Sequence, residues 1–169
     1  MGRPIWLVGM MGSGKTTVAP LVAGSLGREW VDADSVIEEQ TGRTIADLFD
    51  ESEARFRQAE VEAIGSLAAG DAVVATGGGA VTSKAAEIMG DSGVVVWLRA
   101  AVETLVERVG DGSGRPLLTH GLGALERVEN ERRERYAAVA DAVVDTDDLV
   151  PEAVANRVVE AWASVSSAE

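Results

Sequence analysis

Short apolar runs alternate along this chain with longer stretches of helical spacing. Residues 5–8, 72–75, 93–98 and 142–144 are continuous apolar runs, too short for helices, and predict strands buried on both faces. Trp30 and Val31 lead into Asp32-Ala33-Asp34 and predict a further strand with acids at its C-terminal end. Apolar residues at helical spacing predict helices over 16–26, stopped by Gly27, and over 35–40, 44–49 and 53–69. The same spacing returns over 101–108, 125–140 and 151–165. Strands alternating with helices specify an α/β chain with a five-stranded parallel sheet between two helical layers. Residues 110–123, GDGSGRPLLTHGLG, break the pattern and predict a loop or mobile lid.

With 169 residues, 46% of them apolar and 25% charged, residues 1–169 fit a single domain with a substantial core. No apolar run reaches the roughly 18 residues that span a bilayer, so no membrane partner is expected. The first strand begins almost at the N-terminus and feeds a glycine loop, so a cleavable leader is not expected either. The lack of cysteine rules out disulfides and thiolate metal sites, and fits a cytoplasmic location. A net charge of −13 disfavours a general nucleic-acid binder, which needs a basic face. It also repels an anionic substrate at long range, so basic residues must gather wherever such a substrate binds. Of the basic residues only Lys15 and Lys84 are lysines; the others are arginines.

Lys15 belongs to Gly9-x-x-x-x-Gly14-Lys15-Thr16, a phosphate-binding loop between a strand and a helix. Backbone N–H groups of Gly12, Ser13, Gly14, Lys15, Thr16 and Thr17 cradle phosphates there, Lys15 reaches their oxygens, and Thr16 offers a hydroxyl to Mg2+. Of Asp32 and Asp34, one is suited to hold Mg2+ through water and the other to orient or deprotonate a hydroxyl. Asp34 or Ser35 is also placed to cap the next helix, with Ser35-x-x-Glu38 matching a capping box. Arg57, in RFRQAE, suits either solvent or bidentate pairing with a carboxylate, and periodicity does not choose. Gly77, Gly78 and Gly79 follow a strand and let a ligand lie directly on the backbone. Arg115 sits in the lid, where an arginine can close over phosphates. His120, the one histidine, is expected to be exposed and dispensable. Arg132, Arg133 and Arg135 share one helix with glutamates, and one or two of them are expected to meet the ligand.

Taken together, LVGMMGSGKTT, DADSVIEEQTGRTIADLF, ARFRQAE, ATGGGAVT, GRPLL, NERRERYAAVAD and VVDT resemble the shikimate kinase family. That family is a small branch of the nucleoside-monophosphate-kinase-like group. The motifs occur in the family's order over roughly residues 5–160, and the FRxxE and triple-glycine pair is the diagnostic part. The resemblance implies ATP-dependent phosphorylation of the 3-hydroxyl of shikimate, with Mg2+ near Thr16 and Asp32; a monomer is expected. It assigns the substrate carboxylate to Arg57 and Arg132 and the ring hydroxyls to Asp34, within a shikimate-binding region of about 33–62. Gly78 and Gly79 match backbone that touches shikimate, Arg115 matches the lid arginine, and Arg108 and Pro151 match positions flanking adenine. RRERY stands where the family often has R-x-P-L-Y, which leaves open whether Arg132 or Arg133 points to the substrate. Kinases of the same fold acting on gluconate or an aminoshikimate are the nearest alternatives. A nucleotide-dependent switch is the alternative from another class.

Overall fold

In the computed structural model, which describes residues 2–110 and 122–168, all five expected strands form. They are β1 (Ile5–Val8), β2 (Trp30–Asp32), β3 (Val73–Ala75), β4 (Val94–Arg99) and β5 (Ala142–Asp145). They lie parallel in the order β2-β3-β1-β4-β5. The central strand β1 sets the register, with Trp6 opposite Val74 on one side and Val95 on the other.

Parallel neighbours need crossovers, and helices supply them. These are α1 (Lys15–Leu26), α2 (Ala33–Thr41), α3 (Ile45–Glu51), α4 (Glu53–Leu67), α5 (Ala85–Ser92), α6 (Val102–Val109), α7 (Leu122–Val139) and α8 (Pro151–Ser166). Helix α5 and the 3₁₀ turn before it, Ala80–Thr82, have no counterpart in the sequence pattern. With only Ala85 and Met89 buried, α5 carries too short a stripe to register as periodicity. Helix α7 begins three residues before its expected start, so residues 122 and 123 of the expected lid are helical. None of the described helices is long and apolar enough to cross a membrane.

Side chains alternate across the strands, so the sheet has two cores. Trp6, Val8, Val74, Val95 and Trp97 pack with Met89, Leu105, Leu125 and Tyr136 on one face. Ile5, Leu7, Val73, Val96 and Leu98 pack with Val18 and Val22 of α1 and Val154 and Val158 of α8 on the other. A smaller third core of Ile37, Leu48, Phe56, Ala59 and Ala63 binds α2, α3 and α4 together. This satellite carries residues 33–62 as one packed unit beside the C-terminal ends of β2 and β3. Short capping side chains start its helices: Asp32 accepts from the N–H of Asp34 and Ser35, Thr44 from Asp47, and Ser52 from Arg55. The cap of α2 is therefore Asp32, not Asp34 or Ser35. Glu38, free of a capping box, accepts from the N–H of Ile45 at 2.9 Å and ties α2 to α3.

Gly93 joins α5 to β4 where backbone and indole come close. A Cβ there would overlap the carbonyl oxygen of Pro4 and lie 2.8 Å from Cδ1 of the buried Trp6. Gly93→Ala is therefore expected to destabilise the fold by about 1–3 kcal/mol through overpacking. Thermal unfolding checks this, with Tm falling about 2–4 °C per kcal/mol in a chain of this size; an unchanged Tm would show that the junction yields.

Candidate active site

The loop between β1 and α1 is built from backbone that only glycine adopts readily. Gly9, Gly12 and Gly14 have φ of 148°, 80° and 96°. A Cβ on Gly9 would also lie 2.8 Å from Oγ of Ser13. Gly14 precedes α1 without a side chain to cap it, so the positive end of the helix faces the cleft. Lys15 is buried and folded back on its own loop. Its Nζ donates to the carbonyls of Gly9 at 2.6 Å and Met10 at 2.9 Å.

This loop floors a cleft of about 760 Å³ along the C-terminal edge of the sheet. Gly12, Ser13, Gly14, Lys15, Thr16, Thr17, Asp32, Asp34, Gly77, Gly78, Arg108 and Pro151 all line it. At one end, Arg108 donates to Oγ1 of Thr146 at 2.8 Å and to its carbonyl at 2.6 Å, beside Leu149, Pro151 and Val154. Arg115 and His120, with the rest of 111–121, lie outside the described residues.

The other end is organised by the three glycines after β3. A Cβ on Gly77 would lie 3.3 Å from Oδ1 of Asp34 and 3.3 Å from Oε1 of Glu60. One on Gly78 would lie 3.4 Å from Nη1 of Arg132, and one on Gly79 would overlap the guanidinium of Arg57. Arg57, Arg132 and Asp34 come from three separate segments, and each lies against a successive glycine. Arg57 is steered there by Glu60, which accepts from its Nη1 at 2.8 Å, and by Phe56, whose ring centre lies 5.1 Å from Cζ. Tyr136 locks the middle glycine, donating its hydroxyl to the carbonyl of Gly78 and stacking on Trp97 at 5.4 Å. Burial pushes its hydroxyl pKa up to about 12, so it remains a donor.

Sequence reasoning gave Glu60 no role, although it is the glutamate of FRxxE. The signal was available: Phe56, Ala59, Glu60, Ala63 and Ile64 form the buried stripe of α4, and a carboxylate in such a stripe needs a partner. Arg132 and Arg133 are also now distinguished. Arg133 is tied to Glu129 by Nη2 at 3.0 Å, whereas Arg132 lies against Gly78.

Asp34 is the most perturbed acid of the cleft. Burial, reinforced by Asp32 and Glu60, raises its pKa from 3.8 to about 6, against the pull of Lys15. Burial likewise raises Glu60, despite its pairing with Arg57. Asp32 spends Oδ1 on capping α2. Among the described residues no group of three or more acids and histidines converges to hold a metal ion. Thr16 and Asp32 both line the cleft and offer oxygen donors, a set that fits a hard divalent cation held mainly by phosphate and water.

Comparison with known proteins places this geometry in a family context. Residues 11–163 match the family model for shikimate kinase. A shikimate kinase from Symbiobacterium thermophilum is 46% identical over 85% of this chain and 86% of its own length. One from Halorhodospira halophila is 44% identical over 93% and 92%. Among solved structures, shikimate kinase from Acinetobacter baumannii in complex with shikimate superposes with a TM-score of 0.90 at 36% identity, covering 97% of this chain and 94% of that one. A gluconokinase from Sinorhizobium meliloti shares the fold at a TM-score of 0.66 and 22% identity.

The raised pKa of Asp34 has a consequence for stability. The folded state holds this proton more tightly than the unfolded chain, so stability falls as pH rises from about 4 through about 6. Above that range the buried charge costs about 3 kcal/mol. Asp34→Asn is expected to raise Tm by about 6–12 °C at pH 8 and to leave it unchanged near pH 4. Thermal melts at the two pH values check this, and equal Tm values for variant and parent at pH 8 would refute it.

Proposed function

Since the chain belongs to the shikimate kinase family, we propose that its cleft transfers the γ-phosphoryl group of ATP to the 3-hydroxyl of shikimate, with the roles assigned below. The observation that carries the assignment is the meeting of Asp34, Arg57 and Arg132 on three successive glycines, the first two of which line the same cleft as Lys15. Two guanidiniums suit a carboxylate, and a carboxylate beside them suits ring hydroxyls. Arg57 and Arg132 hold the shikimate carboxylate over Gly79 and Gly78. Asp34 takes the 3-hydroxyl beside Gly77.

Catalysis is then a matter of position and charge. The 3-hydroxyl oxygen attacks the γ-phosphorus in line with the β–γ bridging oxygen. The bridging P–O bond breaks, ADP leaves with its electron pair, and the hydroxyl proton passes to Asp34. A carboxyl with a pKa of about 6 is ionised at neutral pH and still basic enough to accept that proton. Lys15 leaves the carbonyls of Gly9 and Met10 for the phosphate oxygens, and the amides of Gly12 to Thr17 hold the β-phosphate. Thr16 and Asp32 would be the residues to hold a Mg2+ ion, which would supply neutralisation of charge on the phosphates. Arg108 and Pro151 flank the adenine. The same reading takes residues 1–169 as one kinase domain, acting as a monomer in the cytoplasm without nucleic-acid or membrane partners.

ADP release in a coupled assay tests the whole reading. It is expected with shikimate, and slower by about a hundredfold or more with quinate, gluconate or no acceptor. Release at the same rate without shikimate would overturn it. Arg57→Ala should raise KM for shikimate by about tenfold or more with a smaller change in kcat, because its partner is a charge present before and after transfer. An unchanged KM would remove Arg57 from the carboxylate.

A further inference from the structure

Helix α7 carries a buried acid that the transfer reaction does not use. Leu125, Glu129, Arg132 and Tyr136 recur at helical spacing along its inward face. Leu125, Glu129 and Tyr136 are buried, Glu129 with only 3% of its surface exposed. Glu129 borders a small recess lined by Met10, Trp97, Leu98, Ala100 and Leu105, surroundings that an apolar residue would fill. Arg133, one turn on, grips both its carboxylate oxygens: Nε to Oε1 at 3.1 Å and Nη2 to Oε2 at 3.0 Å. Arg132, the neighbouring residue, turns instead to Gly78.

An ion pair with one buried member is a poor source of stability, because taking the Glu129 carboxylate out of water costs about what its attraction to the exposed Arg133 returns. It is a good source of specificity. Two adjacent arginines project about 100° apart on a helix, and both have the length to reach toward the acceptor.

We propose that Glu129 is a positioning residue for the acceptor: by gripping the exposed guanidinium of Arg133 through both carboxylate oxygens, it leaves Arg132 as the arginine of α7 that meets the substrate carboxylate. This rests on the reading of the site as a shikimate site. Without the clamp, two guanidiniums compete for one carboxylate and the acceptor is held in a second, unproductive pose.

Glu129→Leu tests the proposal, since leucine suits the apolar recess and keeps the fold. The proposal expects an unlowered Tm, a KM for shikimate raised about tenfold, an unchanged KM for ATP and a kcat within about twofold. Glu129→Leu combined with Arg133→Gln removes the competing cation, and KM should return to within about threefold of the parent value. The isosteric Glu129→Gln serves the same comparison, with and without Arg133→Gln, if leucine does not fold. An unchanged KM in the single variant, or no recovery in the double variant, would overturn the proposal and leave the pair structural. The unaltered chain is assayed alongside. If it releases no ADP in response to shikimate, the functional reading fails instead, independently of Glu129.

Discussion

A Cβ on Gly79 would stand where the guanidinium of Arg57 now lies, and one on Gly77 would crowd Asp34 and Glu60. The acceptor end of the cleft exists because three consecutive residues after β3 have no side chains. Their bare backbone lets α2, α4 and α7 bring Asp34, Arg57 and Arg132 onto one strip of chain. Tyr136 holds that strip from below through the carbonyl of Gly78. A side chain at Gly79 would have to displace the Arg57 guanidinium from its pairing with Glu60 and from the ring of Phe56.

The charges around this strip are arranged against the character of the whole molecule. In a chain of net charge −13, Arg57 and Arg133 are paired with buried acids. Glu60 and Glu129 both sit in apolar helix stripes, and each is paired with an arginine one turn away on its own helix. They do opposite things with that pairing. Glu60 holds Arg57 beside Gly79, whereas Glu129, at the recess beside Met10, pairs with an Arg133 that stays exposed. Arginine suits both tasks because its planar fork stays charged and meets a carboxylate at fixed geometry.

Sheet topology explains why donor and acceptor share one cleft. The strand order β2-β3-β1-β4-β5 sets β1 between β3 and β4, and all strands point the same way. The loops that follow β1, β2 and β3 therefore open on one edge, where open α/β sheets bind their ligands. The phosphate loop, Asp32 with Asp34, and the triple glycine are those three loops. The small core of Ile37, Leu48, Phe56, Ala59 and Ala63 then makes the acceptor side a packed body rather than a free loop.

Local chemistry was legible in the residues themselves. Apolar runs and helical spacing are short-range properties, and they specified all five strands and most helices; α5 escaped because two buried residues make no period. The phosphate loop was legible because glycine, lysine and threonine act there through a contiguous backbone. Pairings between distant segments were not. Whether Arg57 faces solvent or a glycine depends on Gly79, and whether Arg132 or Arg133 turns inward depends on Glu129 and Gly78. Asp32 rather than Asp34 caps α2 because β2 ends one residue before the helix starts, a boundary set by pairing with β3. A residue's type limits the partners it can accept. Which partner it meets is settled by packing between segments far apart in the chain.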